Sequence, residues 1–259
     1  MTAAPLRLLE ESSATHYASV VEVNESWAIF DVSPPQVSGR PGPSYRLRIK
    51  AEGNEVFARE DAPKLLPAAC PERHINWDGT FCLSWREVEP MPIVDQDTAA
   101  TWWRALLVFL NRQQTARILR RWPGLSRAHG SGARAQQDAE DAARTLGSRF
   151  LEMLHDGRLS ATRRRALHWE QIVLLVDRRR IVTVSETKRR VINRRSPCQC
   201  GLSHGRAKPI QSCGEHQKAF VKLAIALDAW KRAERDFCRS FSRGGTKCCG
   251  SMDKCQLAA

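Results

Sequence analysis

The chain has 259 residues and a net charge of +13, from 41 Lys and Arg against 28 Asp and Glu. That length holds one large or two modest domains and buries a core without staples. No run of about 18 apolar residues occurs, which excludes a transmembrane helix, and the opening Met1-Thr-Ala-Ala-Pro-Leu-Arg7 lacks the apolar core of a signal peptide, so the expected location is the cytoplasm, with no membrane partner.

Residues 7–22 read as a short helix and then a strand, with Leu8, Leu9, Tyr17, Val20 and Val21 set among polar residues. Trp27 to Val32 has strand composition, and Pro34-Pro35 with Gly39 to Pro43 marks a loop. Tyr45 to Lys50 alternates with period two, as a strand with one buried face does. Gly53-Asn54 turns the chain and Glu55 to Arg59 returns, which gives an antiparallel meander. A helix is predicted from Thr98 to Arg120, capped by Asp97 or Thr98. Trp102, Leu106 and Phe109, with Trp103, Leu107 and Leu110, form its wide apolar face, and the spacing assigns them to core packing. Trp122-Pro123-Gly124 closes this unit and 128–135 read as a flexible link.

A second helix is predicted as one piece over 136–154, with Ala139, Ala143, Leu146, Phe150 and Leu154 on one face. Gln171 to Val176 and Ile181 to Val184 are strand signals around a basic tip, Asp177-Arg178-Arg179-Arg180. A long helix follows from about Glu215 to Phe241. Residues 1–125 hold 14 basic against 15 acidic residues, whereas 126–259 hold 27 against 13. The asymmetry sets two expected domains, 1–125 and 126–259, and places any anionic partner on the second.

The stretch Pro71 to Trp85 places Cys82 just after the turn formers Asn76, Asp78 and Gly79. By itself a free cysteine behaves as a small hydrophobe, and the plain reading of Cys82 is a buried structural thiol. The pattern around it resembles the active-site stretch of ubiquitin-conjugating enzymes (the UBC fold). That family carries His-Pro-Asn, then a turn, then the catalytic Cys followed by Leu. Gly79-Thr80-Phe81-Cys82-Leu83-Ser84 matches the second half, whereas Glu72-Arg73-His74 replaces the first, so His74 stands in the Asn position. The likeness covers roughly residues 1–125 and is closer to divergent bacterial members found in antiphage (CBASS-like) operons. It implies an α+β fold, a UBC-like antiparallel meander with flanking helices. It further implies that Cys82 accepts a protein C-terminus as a thioester and passes it to an amine, with His74 steadying the oxyanion or the loop. The implied partners are a separate activating enzyme and a ubiquitin-like protein or nucleotidyltransferase carried by its C-terminus. No glycine-rich phosphate loop of either standard pattern is present, so activation of a carboxylate falls to that separate enzyme. A thiol protease would need a His base with an orienting Asn or Asp, and His74 is the one neighbouring candidate.

Of nine cysteines, Cys70 and Cys82 lie in the first half and the other seven crowd the last quarter. In a cytosolic chain such crowding reads as metal ligation rather than disulfides. Cys198, Cys200, Cys213 and His216 offer one tetrahedral zinc set, with His204 as an alternative to His216. Cys238, Cys248, Cys249 and Cys255 offer a second. The expected second domain is therefore a smaller α+β, cysteine-rich zinc domain. The Arg runs at 163–165 and 178–180 read as a solvated basic face, a face for an acidic protein, or a phosphate grip. Two functions follow: a ubiquitin-conjugating-like transferase, and, as the alternative, a non-catalytic zinc protein that binds nucleic acid through its basic half.

Overall fold

The computed structural model describes the chain except residues 1, 37–41, 126–127, 166–169, 200–207, 246, 254, 256 and 259. The chain divides into two compact units, one of Met1–Arg127 with Cys238–Ala259, the other of Ala128–Phe237. Residues 238–259 thus pack with the first unit, although their cysteines belong by sequence with the C-terminal region.

In the first unit, helix α1 (Ala4–Ser12) leads into strands β1 (Ala18–Val23), β2 (Trp27–Val32), β3 (Tyr45–Glu52) and β4 (Glu55–Glu60). They form an antiparallel sheet in sequence order. Period-two alternation does what it predicts in β3: Tyr45, Leu47 and Ile49 are buried, while Arg46 and Lys50 face solvent. The buried sheet face packs with Leu6 and Leu9 of α1 and with the long helix α2 (Gln96–Leu119). Trp102 and Trp103 are core residues, as their spacing predicts. Trp103 is fully buried, sits edge-on to Phe30 and donates its indole N–H to the Leu9 carbonyl at 3.2 Å. The cap of α2 is Asp95, two residues before Asp97 and three before Thr98, the two predicted candidates. Its carboxylate accepts from the Thr98 N–H at 2.8 Å, and Thr98 Oγ1 accepts from the Asp95 N–H at 3.0 Å. This is a capping box closed by Thr instead of Glu.

In the second unit, helices α3 (Gly132–Leu146) and α4 (Ser148–His155) precede a second antiparallel meander: β5 (Leu159–Arg165), β6 (Glu170–Val176), β7 (Arg179–Ser185) and the short β8 (Arg190–Val191). Ile172 and Leu174 of β6 and Val182 and Val184 of β7 pack with Phe150 of α4 and with Phe220, Leu223 and Leu227 of helix α5 (His216–Arg243). The single helix predicted over 136–154 is two helices. Gly147 between them has φ 117° and ψ 163°, a region that essentially only glycine occupies. Helix α3 also starts at Gly132, inside the stretch read as a link. The β6–β7 hairpin turns on Asp177-Arg178 alone. Both have positive φ, 48° and 66°, as a type I′ turn demands. Arg179 and Arg180 of the predicted tip belong to β7.

Gly147→Ala is expected to cost about 1–3 kcal/mol, the usual strain of holding a non-glycine residue there. The added Cβ meets nothing within 4 Å, so the loss comes from the backbone and not from a clash. The shift in the urea unfolding midpoint reads it out; an unchanged midpoint would show that the junction relaxes freely.

Candidate active site and metal centre

The site is built on the open edge of the first sheet. Thr80 pairs antiparallel with Arg59 of β4, and the Phe81 N–H donates to the Ala58 carbonyl at 2.8 Å. Phe81 turns inward and stacks on Phe109 of α2, with ring centroids 4.7 Å apart. The alternation of an extended segment then turns Cys82 the other way, half-buried, into a groove of about 680 Å³. Turn chemistry sets the approach. Asp78 Oδ1 accepts from both Thr80 N–H and Thr80 O–H, Asn76 donates its amide to Thr80 Oγ1 at 3.0 Å, and Gly79 takes φ 82°.

The Cys82 thiol donates to the Ser84 carbonyl at 3.7 Å, and burial pushes its pKa above the ordinary thiol value. Among the described residues that line the groove there is no histidine. Lining it beside Cys82 are Asn76, Trp77, Arg59 and Arg86, and Trp77 is 74% exposed at the turn tip.

His74 lies elsewhere than a base would. Its ring is buried and packs against Trp122, centroids 4.8 Å apart, and it is not among the groove residues. Its link to the nucleophile candidate runs through the backbone, the Cys82 N–H donating to the His74 carbonyl at 2.9 Å. His74 holds φ 54° at the end of the helical turn Pro71–Arg73. Arg73, also buried, clamps that turn to α2: its Nε donates to Gln113 Oε1 at 2.7 Å, and Gln113 Nε2 donates to the Arg73 carbonyl at 2.6 Å. Asn76, which sequence reasoning took only as a turn former, is the carboxamide that reaches the groove.

Three residues of the first predicted metal set, Cys198, Cys213 and His216, lie together in the second unit. A bridge between Pro197 and Pro209 and the Cys198 N–H···O=C Lys208 bond of 2.8 Å return the chain on itself. A short helical turn, Ile210–Ser212, then delivers Cys213, and His216 opens α5. His216 Nδ1 lies 3.2 Å from Cys213 Sγ and 3.6 Å from Cys198 Sγ, and the three ligand atoms all fall within 4.8 Å of one another. Two thiols and an imidazole so clustered fit zinc. The predicted fourth ligand, Cys200, and its neighbour His204 lie outside the described residues.

The second predicted set is arranged differently. Cys248, Cys249 and Cys255 pack with Cys70, Ala116 and Met252 of the first unit, while Cys238 is buried on α5 outside that cluster. Cys249 Sγ lies 3.1 Å from Cys70 Sγ. That hydrogen bond is the main cause that draws the Cys249 pKa down to about 5 and pushes Cys70 far above the usual thiol range.

Of the arginine runs, Arg163 is occupied: it meets Asp228 and Glu186 at 2.8 Å each, and Glu170 as well. Arg164, Arg165, Arg178, Arg179 and Arg180 are exposed. Among the described residues no helix is long and apolar enough to cross a membrane.

Family models match the chain in two consecutive segments. Residues 16–124 match a prokaryotic E2 domain, and residues 128–257 match a cysteine-rich domain C-terminal to an E2 domain. This chain belongs to the family of prokaryotic E2 domains followed by a cysteine-rich domain. The second match alone spans half the chain. No curated protein and no solved structure matches it. Membership in the E2 family points to a conjugating enzyme, and in general terms to an activating enzyme and a ubiquitin-like substrate as its partners.

Proposed function

We propose that the chain carries a protein C-terminus as a thioester on Cys82 and transfers it to an amine. The observation that supports this most is the place of Cys82: half-buried, lining a groove beside the sheet edge, inside a segment that matches a prokaryotic E2 domain. In the loading step the Cys82 sulfur attacks the thioester carbonyl held by the activating enzyme. That enzyme's thiolate leaves and takes up the proton. In the second step a target amine attacks the Cys82 thioester, an amide forms, and Cys82 regains its thiol. Burial of the thiol fits a carrier, because a thioester is uncharged and is not penalised by burial. The likeness to bacterial members beside antiphage genes supports a defence setting and a ubiquitin-like protein or nucleotidyltransferase as cargo. For the nucleic-acid alternative, Arg163 is spent inside the unit on three carboxylates, while the other five arginines of the two runs are exposed.

We assign the oxyanion donor to Asn76, which lines the groove, and loop positioning to His74, whose ring does not. Removing one oxyanion donor typically costs roughly 10²- to 10³-fold in rate. Asn76→Ala is therefore expected to load Cys82 and to discharge to free amine about 10²-fold more slowly or worse. His74→Asn should keep discharge within about tenfold. Single-turnover discharge of preloaded protein measures both. Slow His74→Ala with fast Asn76→Ala would return the donor role to the His74 position.

The direct test of the proposal mixes purified chain with activating enzymes, ATP and candidate ubiquitin-like proteins. A thiol-sensitive adduct on a non-reducing gel is the expected result. Salt-sensitive RNA or DNA binding with no adduct under any pairing would favour the alternative.

A further inference from the structure

Four sulfurs from sequence positions far apart meet in one buried cluster of the first unit. Cys70 comes from the segment before the Pro71–Arg73 turn and is 1% exposed; Cys248, Cys249 and Cys255 come from the C-terminal tail. They stand as two pairs. Cys70 and Cys249 are 3.1 Å apart, and Cys248 hydrogen-bonds with Cys255. All four are free thiols, and 3.1 Å is well beyond a disulfide bond of about 2.05 Å.

The groups around them suit anionic sulfur. The Gly250 N–H donates to Cys248 Sγ at 3.4 Å, and Ser251 Oγ lies 2.9 Å from Cys249 Sγ. Arg73, 3% exposed, reaches Ser251 Oγ with its guanidinium at 3.4 Å and interacts electrostatically with both Cys70 and Cys249. Four thiolates around one divalent cation carry a net charge of about −2, and a buried arginine offsets part of it. The tail is anchored to the same surface by Arg120, whose Nε donates to Asp253 at 2.7 Å and whose carbonyl accepts from the Asp253 N–H at 2.8 Å.

We propose that Cys70, Cys248, Cys249 and Cys255 form a second metal site, for zinc, that fastens the C-terminal tail to the loop presenting Cys82. Cys70 takes the place that sequence spacing gave to Cys238. Among the described residues no three of these sulfurs lie within 4.8 Å of one another, so metal binding draws the two pairs together. The connection to the site is short. Cys70 and Ile75 exchange both backbone hydrogen bonds, at 2.9 and 3.0 Å; Ile75 pairs with Phe81; and His74, between them, holds the Cys82 N–H. A metal on Cys70 therefore stiffens the closed turn from which the groove thiol emerges. This inference stands whether or not Cys82 carries a thioester.

The test is zinc content of the purified full-length chain by native mass spectrometry. Cys70→Ser is expected to lose one zinc per chain relative to wild type, and Cys238→Ser none. Cys198→Ser should lose a different zinc, so that Cys70→Ser with Cys198→Ser loses both. Full zinc content in Cys70→Ser overturns the site. In case that variant misfolds, wild-type protein is alkylated with and without a chelator. Cys70, Cys248, Cys249 and Cys255 should become reactive together only when the chelator is present. Alkylation of the four at rates indifferent to chelator, or a Cys70–Cys249 disulfide in the freshly purified protein, equally overturns it.

Discussion

Cys82→Ala is expected to form no thiol-labile adduct with the activating enzyme and cargo, a loss of the whole signal, whereas Cys70→Ala, whose thiol lies outside the groove, should still form it. Cys82→Ser should trap a hydroxylamine-sensitive oxyester that outlasts the thioester, because a serine ester reacts more slowly with amines. Burial sets the pH dependence of the wild-type thiol. It disfavours the thiolate, so the folded-state pKa lies above the ordinary 9.0. The thiolate is the nucleophile, and its fraction grows about tenfold per pH unit below that pKa. Alkylation of Cys82 by iodoacetamide, followed by mass spectrometry, should rise at that slope from pH 7 to 9 without a plateau. A plateau near pH 7 would mean that a cation, such as Arg59 or Arg86 of the groove, outweighs burial and lowers the pKa. An adduct that survives in Cys82→Ala would move the nucleophile to another cysteine.

Local pattern carried much of the first unit. Alternation in 45–50 and the tryptophan-led face of 98–120 were legible because each element buries one face against the same core. What local pattern could not carry has physical causes. The apolar spacing Ala139-Ala143-Leu146-Phe150-Leu154 runs unbroken through Gly147, because both helices bury residues in one core, and only the glycine backbone reveals the break. Strand β5 ends in Arg163-Arg164-Arg165, a run that reads as solvated, yet Arg163 is drawn inward by Asp228 of α5. The pairing of Cys70 with Cys249 joins positions 179 residues apart, and no spacing rule reaches that far. Cys82 stood out only through the likeness of Gly79 to Ser84 to a family motif, since the turn and apolar tripeptide alone read as a structural thiol. Its surroundings were not legible: whether His74 or Asn76 lines the groove depends on a left-handed residue at 74 and on Trp122, distant in sequence, packing against the imidazole.

Cys213→Ser and His216→Ala should each strip zinc from the second unit. A metal ligand must be deprotonated and placed, and the folding that places it is linked to the metal's binding free energy. Losing a group that merely orients a ligand costs about 10- to 100-fold in metal affinity. Losing a ligand itself is expected to cost more than 100-fold here, because only Cys198 and one partner of the described trio would remain. The consequence for folding is local. Cys198 and Ile210 are part of the core formed by the second sheet and α5, so an unclamped Cys198–Cys213 segment exposes that edge of the core. The sheet's own centre, Ile172, Leu174, Val182 and Val184, keeps its packing partners. Thermal unfolding of the full-length variants should therefore show a lowered, broadened transition and a zinc content reduced by one, with residual cooperative structure rather than a random coil. Cobalt substitution gives an independent reading: the wild type should show intense thiolate-to-cobalt absorption that falls in Cys213→Ser and shifts in His216→Ala. Unchanged zinc content and an unchanged transition in both variants would rule out the trio as a metal centre and leave it a hydrogen-bonded cluster of two thiols and an imidazole.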